Sequence, residues 1–266
     1  MGIVNVTPDS FSDGGRFFAT DAAVGHALEL AAAGAVALDV GGESTRPGAD
    51  PVDVAEDLRR IVPVIGELAA AVGAGVAISV DTTKPEVARA ALAAGATIVN
   101  DVTGGRDPEL LATVADHDAG VVLMHMQGEP RTMQLAPHYD DVVVEVGDYL
   151  AARVDAAVVA GIARDAIVAD PGIGFGKTAH HNRVLLAHLG ELAERAGVPL
   201  LVGVSRKRML VDIVGEDLDA RDDATLATTV LAFVQGAAIV RVHDVSRSVA
   251  AAAWLDTIAT NGKEAA

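Results

Sequence analysis

The chain has 266 residues, 51 % of them hydrophobic, and a formal net charge of −17. That length suits one large α/β barrel or two small domains, and so acidic a surface excludes a partner held through phosphate neutralisation, whether nucleic acid or anionic membrane. The absence of cysteine excludes disulfides, zinc thiolate sites and thiol catalysis; no apolar run reaches the ~18 residues of a membrane span and no leader pattern opens the chain, so a cytoplasmic location is expected.

In chain order, short Val/Ile-rich runs fall at 3–6, 36–40, 76–80, 97–100, 121–124, 167–170, 200–204 and 239–242. Each is too short for a helix and rich in β-branched residues, which reads as a strand. Between them lie Ala/Leu/Glu-rich segments with helical spacing, among them 21–33, 53–71, 85–94, 139–160 and 183–196. Gly34, Gly95, Gly161 and Gly197 follow four of these, where a left-handed residue closes a helix. Strand–helix alternation repeated eight times predicts a single-domain (β/α)8 TIM barrel over residues 1–260. An open doubly wound sheet is the runner-up, disfavoured by the count of units and by the lack of a dinucleotide-binding glycine fingerprint. Residues 261–266 are expected to fray.

The functional end of such a barrel is the mouth at the C-terminal ends of the strands. The predicted strand ends carry Asn5, Asp39, Asp81, Asn100 with Asp101, His125, Asp170, Ser205 with Arg206 and Lys207, and His243. Taken singly, Asp39, Asp101 and His125 read as turn or capping residues. Taken together, eight polar ends converge on one mouth. Asp81, Asn100 and Asp170 supply paired acceptors and an amide, which suits the hydrogen-bonding edge of a planar amino-heterocycle, and Lys207 can donate to a ring carbonyl or nitrogen. Arg46, Arg206, Lys207, Arg208, Arg241 and His243 bring local positive charge into an acidic chain, which suits an anionic ligand. Arg206 and Arg208 are expected to be solvated or paired with carboxylates; Arg241 is expected to be kept for the ligand.

Two patterns mislead. Gly172-Ile173-Gly174-Phe175-Gly176-Lys177-Thr178 looks like a P-loop, but Pro171 stands where the first glycine is required. His180-His181 lacks companion metal ligands, so a helix-start surface position is expected.

The motifs resemble the dihydropteroate synthase family along essentially the whole chain. The resemblance rests on Asn5-Val6-Thr7-Pro8-Asp9-Ser10-Phe11-Ser12-Asp13-Gly14-Gly15 and on Asp39-Val40-Gly41-Gly42-Glu43-Ser44-Thr45-Arg46-Pro47-Gly48. It continues through Ser79-Val80-Asp81-Thr82, Asn100-Asp101-Val102-Thr103-Gly104-Gly105, Met124-His125-Met126-Gln127-Gly128, the segment from Asp170 to Lys177, Ser205-Arg206-Lys207 and Arg241-Val242-His243-Asp244. It implies condensation of 7,8-dihydropterin-6-ylmethyl diphosphate with p-aminobenzoate, assisted by Mg²⁺, in a homodimer that sulfonamides inhibit. Asp81, Asn100, Asp170 and Lys207 would hold the pterin. Asn5, Thr45, Arg46, Arg241 and His243 would hold the diphosphate, with Asn5 also near Mg²⁺. Phe11, Thr45, Pro47, Gly174, Phe175 and Lys207 would shape the p-aminobenzoate pocket, and Asp13 would lie near the metal and the reacting carbon. Asn5, Asp13, Lys207, Arg241 and His243 are the candidate catalytic set. The family usually carries a short segment before the first strand that closes the barrel floor; here that strand begins at Met1, so floor packing is where the pattern departs. Two rival readings share parts of this site: a pterin-binding methyltransferase domain working with a corrinoid partner, and a non-catalytic pterin-binding paralogue.

Overall fold

The computed structural model describes residues 1–6, 16–43, 51–129 and 132–264. Phe11, Asp13, Thr45, Arg46 and Pro47 therefore lie outside the described residues.

The strands are β1 (Gly2–Asn5), β2 (Ala37–Gly41), β3 (Ala77–Asp81), β4 (Ile98–Asp101), β5 (Gly120–Met124), β6 (Ile167–Asp170), β7 (Leu201–Val202) and β8 (Ile239–Val240). β1 to β6 pair in order, all parallel, and β7 pairs β8. Two parallel bridges, Ala169 with Leu200 and Gly2 with Val242, join these pieces into a ring. The expected closed barrel is what forms. It leaves no open edge for a neighbouring chain to pair with.

Helices α1 (Arg16–Ala32), α2 (Val54–Ala71), α3 (Pro85–Ala93), α4 (Pro108–Asp116), α5 (Val142–Val159), α6 (Ala179–Ala187), α7 (Leu189–Ala196), α8 (Arg208–Val214), α9 (Leu218–Val234) and α10 (Val245–Glu264) follow the strands. Their starts have local causes. Asp53, Asp107, Asp141 and Asp217 each accept a hydrogen bond from a first-turn backbone N–H, which satisfies a donor that the helix cannot. Gly34, Gly95, Gly161 and Gly197 all have positive φ at the ends of α1, α3, α5 and α7. On α2, Ile61, Ile65 and Leu68 are fully buried along one stripe, each worth about 1.5–3 kcal/mol of transfer free energy.

The structure corrects four boundaries. The expected helix 183–196 is two helices, broken at His188, and the first begins earlier, at Ala179. Its start is a capping box: Thr178 accepts from the His181 N–H, and the Thr178 N–H donates to His181 Nδ1. Val36 is 68 % exposed and precedes its strand. Arg241 follows β8 rather than sitting inside it, although its N–H still bonds Val202 O at 3.0 Å. Helix α10 runs to Glu264.

Strand alternation builds the site. Successive side chains point to opposite faces. One face packs on the helices: Leu38, Val40, Ile78, Val80, Val99, Val121, Leu123 and Ala169 join the large outer core. The other face fills the barrel. Near the floor it is apolar, with Met1, Ala37, Val122 and Leu201 packed with Ala77, Ile98, Val168 and Ile239. Two residues further along the same strands, this inner face changes chemistry to Asp39, Ser79, Asn100, Met124, Asp170 and, past β8, Arg241. Asp81 lies one more inward step along β3. The floor stabilises the barrel and the layer above it carries the polar groups.

Candidate active site

Asp39 is the hub of the polar layer and is fully buried. Its Oδ1 accepts from Ser79 Oγ at 2.6 Å; its Oδ2 accepts from Asn100 Nδ2 at 2.9 Å and from Arg241 Nε at 2.6 Å. Arg241 Nη2 also donates to Asp81 Oδ2 at 3.0 Å. Two expectations change here. Asp39 is no turn residue, because strand parity turns it into the barrel. Arg241 is not kept from the barrel carboxylates, because a guanidinium beside two buried acids is desolvated and takes them. Its Nη1 still has no acceptor among the described residues. Burial pushes the Asp81 carboxyl up to about 7, against the pull of Arg241 and with help from the nearby Asp39 and Asp101 charges. Asp101 does act as a turn residue: it accepts from the N–H groups of Thr103 and Gly105 and from Thr103 Oγ1.

Across the mouth, Asp170 Oδ1 accepts from the Gly172 N–H at 2.7 Å, and burial raises its carboxyl above the usual range. Lys207 Nζ donates to Ile173 O and sits 4.7 Å from the Phe175 ring centroid, a cation–π contact. Burial lowers the Lys207 ammonium to about 8, with Asp170 opposing the shift. Gly174 has φ +87°, and a Cβ there would press on Lys207 Cδ at 3.3 Å. Gly174, Phe175 and Lys207 are thus brought together, and Asp170 joins them through the same loop.

On the third side, His243 Nδ1 lies 2.8 Å from Ser205 Oγ, which also accepts from the His243 backbone N–H at 3.2 Å. The Ser205 hydroxyl can donate to an unprotonated Nδ1 or accept from a protonated one. Asn5 ends β1 with its side chain exposed at the mouth. Arg206 and Arg208 behave as expected: Arg206 forms a bidentate pair with Asp222 at 2.7 and 2.8 Å, and Arg208 is exposed near Asp212. His180 and His181 open α6, as expected.

The sequence reading passed over two clusters. Lys84 Nζ bonds Glu43 Oε2 at 2.5 Å and Asp57 Oδ2 at 2.8 Å, while Glu43 Oε1 accepts from the Val52 N–H at 3.3 Å. Lys177 Nζ is buried against His125. Glu43 and Lys177 both sat inside quoted motifs, but their partners lie far away in sequence. Asp57, an acid on the buried stripe of a helix, was the one local signal available.

Residues 1–243 match the family model described as pterin binding enzyme. The dihydropteroate synthase of Escherichia coli strain K12 is 49 % identical over 251 residues, covering 94 % of this chain and 88 % of that protein. A solved structure of Xanthomonas albilineans dihydropteroate synthase with 4-aminobenzoic acid is 52 % identical and superposes with a TM-score of 0.89, over 97 % of this chain and 92 % of the other. The same enzyme in complex with 7,8-dihydropteroate gives 49 % identity and a TM-score of 0.86 over the same shares. A closed barrel whose inner face carries Asp81, Asn100, Asp170 and Lys207, together with likeness of this extent, leads to one assignment: the chain belongs to the dihydropteroate synthase family of pterin-binding enzymes.

Proposed function

We propose that the chain condenses 7,8-dihydropterin-6-ylmethyl diphosphate with p-aminobenzoate, releasing dihydropteroate and diphosphate. The observation that carries this reading is the inner polar layer: two carboxylates and an amide from β3, β4 and β6, with the Lys207 ammonium from the N-cap of α8 after β7. Asp81 and Asp170 accept from the amino-pyrimidinone edge, Asn100 meets it with an amide, and Lys207 donates to the ring. Arg241 Nη1 and His243 donate to the diphosphate, joined by Thr45 and Arg46. Phe175, Gly174 and Lys207, with Phe11, Thr45 and Pro47, form the p-aminobenzoate pocket, where sulfonamides compete.

The bond to break is the one between the pterin methylene carbon and the diphosphate oxygen. We read it as breaking first, with the electron-rich ring stabilising the methylene cation. The neutral arylamine then attacks that carbon and loses a proton to water or to the released diphosphate, so no strong base is required. What supports this is Arg241, whose Nη1 has no acceptor among the described residues and could donate to the leaving anion.

Mg²⁺ fits the residues in a limited way. Asn5 offers a hard oxygen at the mouth, and no three His, Asp or Glu side chains converge on a metal among the described residues. That donor set suits an ion held by one or two protein oxygens and mainly by substrate phosphate and water. Asn5 would hold it, with Asp13 near by, and the ion would neutralise charge growing on the leaving diphosphate. We also infer cytoplasmic action as a homodimer; no helix among the described residues is long and apolar enough to cross a membrane. A methyltransferase role is less well served, because it leaves the donors set for a diphosphate without a ligand.

Turnover tests the reading. Purified protein with Mg²⁺ and both substrates should release dihydropteroate and diphosphate in equal amounts. Pterin binding without either product would leave a binding paralogue.

A further inference from the structure

Lys177 is 3 % exposed and lies behind the mouth. Its Nζ makes three hydrogen bonds: to His125 Nδ1 at 2.8 Å, to Phe175 O at 2.9 Å and to His125 O at 3.4 Å. Among the described residues no carboxylate lies within ion-pair distance of it. A buried ammonium with no carboxylate in contact is costly: burial pushes it well below the usual lysine range, opposed only in part by the Asp170 charge, and well-packed apolar residues usually serve stability better. Something other than packing therefore accounts for it.

What it joins is specific. His125 follows β5, and Phe175 lies in the loop after β6. His125 is kept neutral, its ring pushed down to about 2 by burial and by the Lys177 charge, so Nδ1 is available as an acceptor. The ring is wedged edge-on to Tyr149, with centroids 4.8 Å apart, and tilted against Tyr139. The loop comes so close to this strand end that a Cβ on Gly172 would lie 1.9 Å from His125 O, and one on Gly176 2.5 Å from Gln127 O. Tyr139 Oη donates to Gly176 O at 2.8 Å, and Asn182 Oδ1 accepts from the Gly174 N–H at 2.8 Å. These bonds hold the loop on either side of Phe175. Lys177 alone among the described side chains bonds Phe175 itself, whose ring stacks on the Lys207 ammonium.

We infer that Lys177 is a positioning residue for the p-aminobenzoate pocket: it bolts the backbone of Phe175 to the end of β5 and so sets the ring that, with Lys207, forms the pocket wall. It touches no substrate. Its effect should fall mainly on the second substrate, because Asp81 and Asn100 are held by bonds to Arg241 and Asp39. The inference rests on the proposed reaction.

The test is Lys177→Met, measured for the KM of p-aminobenzoate, for kcat, and for pterin diphosphate binding by calorimetry without p-aminobenzoate. The KM should rise tenfold or more, kcat at saturation should stay within about threefold, and pterin affinity should stay within about twofold. Because the chain has no cysteine, Lys177→Cys can be aminoethylated after unfolding and refolded, which restores a lysine-like ammonium; this should bring KM back to within threefold of the parent. Fluorine-labelled phenylalanine gives a readout independent of turnover: the Phe175 signal should broaden or split in Lys177→Met. An inactive parent would count against the proposed reaction, while the fluorine signal would still test the bolt. An unchanged KM, a parallel loss of pterin and p-aminobenzoate binding, an unmoved Phe175 signal, or failure of both variants to fold would each overturn the inference.

Discussion

The two walls of the mouth are built by different means. The wall from β2, β3, β4 and β8 is a charge network, in which Asp39, Ser79, Asn100, Asp81 and Arg241 satisfy one another. The wall from β5, β6 and the loop after β6 is a matter of close approach: positive-φ glycines, backbone carbonyls and two lysines that bond them. The first wall is placed by strand parity, since a polar residue two steps above an apolar floor residue must face inward. The second is placed by the lack of side chains. Substitutions should therefore fail in different ways on the two sides.

The largest effect is expected on the charged wall. Asp39→Ala removes the acceptor for three donors and leaves Arg241 buried with one partner; it should cost about 3–5 kcal/mol in denaturant unfolding, with most activity lost. On the other wall, Gly172→Ala puts a methyl into His125 O at a positive φ. It should cost about 3 kcal/mol or more, again read by unfolding, with the p-aminobenzoate KM rising in whatever protein remains folded. Should Gly172→Ala instead be as stable as the parent, the close-approach account of that wall is wrong.

Next in size is Arg241→Ala. Because Arg241 holds Asp39 and Asp81 as well as facing the mouth, this change should lower both the melting temperature and kcat; a loss of kcat alone would mean that the carboxylate pairs contribute little. Asp81→Asn keeps the shape and should weaken pterin binding by about 1–3 kcal/mol, seen by calorimetry. Smallest should be the arginines at the rim. Arg206→Met breaks a part-buried bidentate pair with Asp222 and should cost about 1–2 kcal/mol, and Arg208→Ala should be within about 0.5 kcal/mol of neutral. A large activity loss at Arg208 would extend the charged wall further than the geometry does.

The same contrast explains what was legible in the sequence. The barrel was, because eight β-branched runs at helix-sized intervals leave few alternatives, and strand boundaries moved by only a residue or two. Asp81, Asn100 and Asp170 were legible as strand-end polar residues. The partnership of Arg241 with Asp39, 202 positions away, was not, since only ring closure of β8 on β1 brings them together. The break between α6 and α7 was hidden by continuous helical spacing, and the true start by a histidine acting as a capping-box partner. Lys177 was set aside with the false P-loop, because its acceptors are a distant imidazole and backbone carbonyls that no residue pattern encodes. Within the first two motifs, Phe11, Asp13, Thr45, Arg46 and Pro47 carry roles implied by resemblance and lie outside the described residues.

The most direct test of the charged wall as the pterin reader is the pH dependence of pterin diphosphate binding without p-aminobenzoate. The Asp81 carboxyl is raised to about 7, and only its ionised form accepts two of the ring's N–H donors at once. Below pH 7 binding must therefore expel a proton, and affinity must rise with pH through that region; Lys207, at about 8, stays largely cationic up to pH 7.5. Calorimetry at pH 6 in two buffers of different ionisation heat should show proton release and several-fold weaker binding than at pH 7.5, with Asp81→Asn diminishing both effects and the Asp170 carboxyl, also raised by burial, accounting for the remainder. Binding that is independent of pH over that range, or that takes up protons at pH 6, would contradict the account.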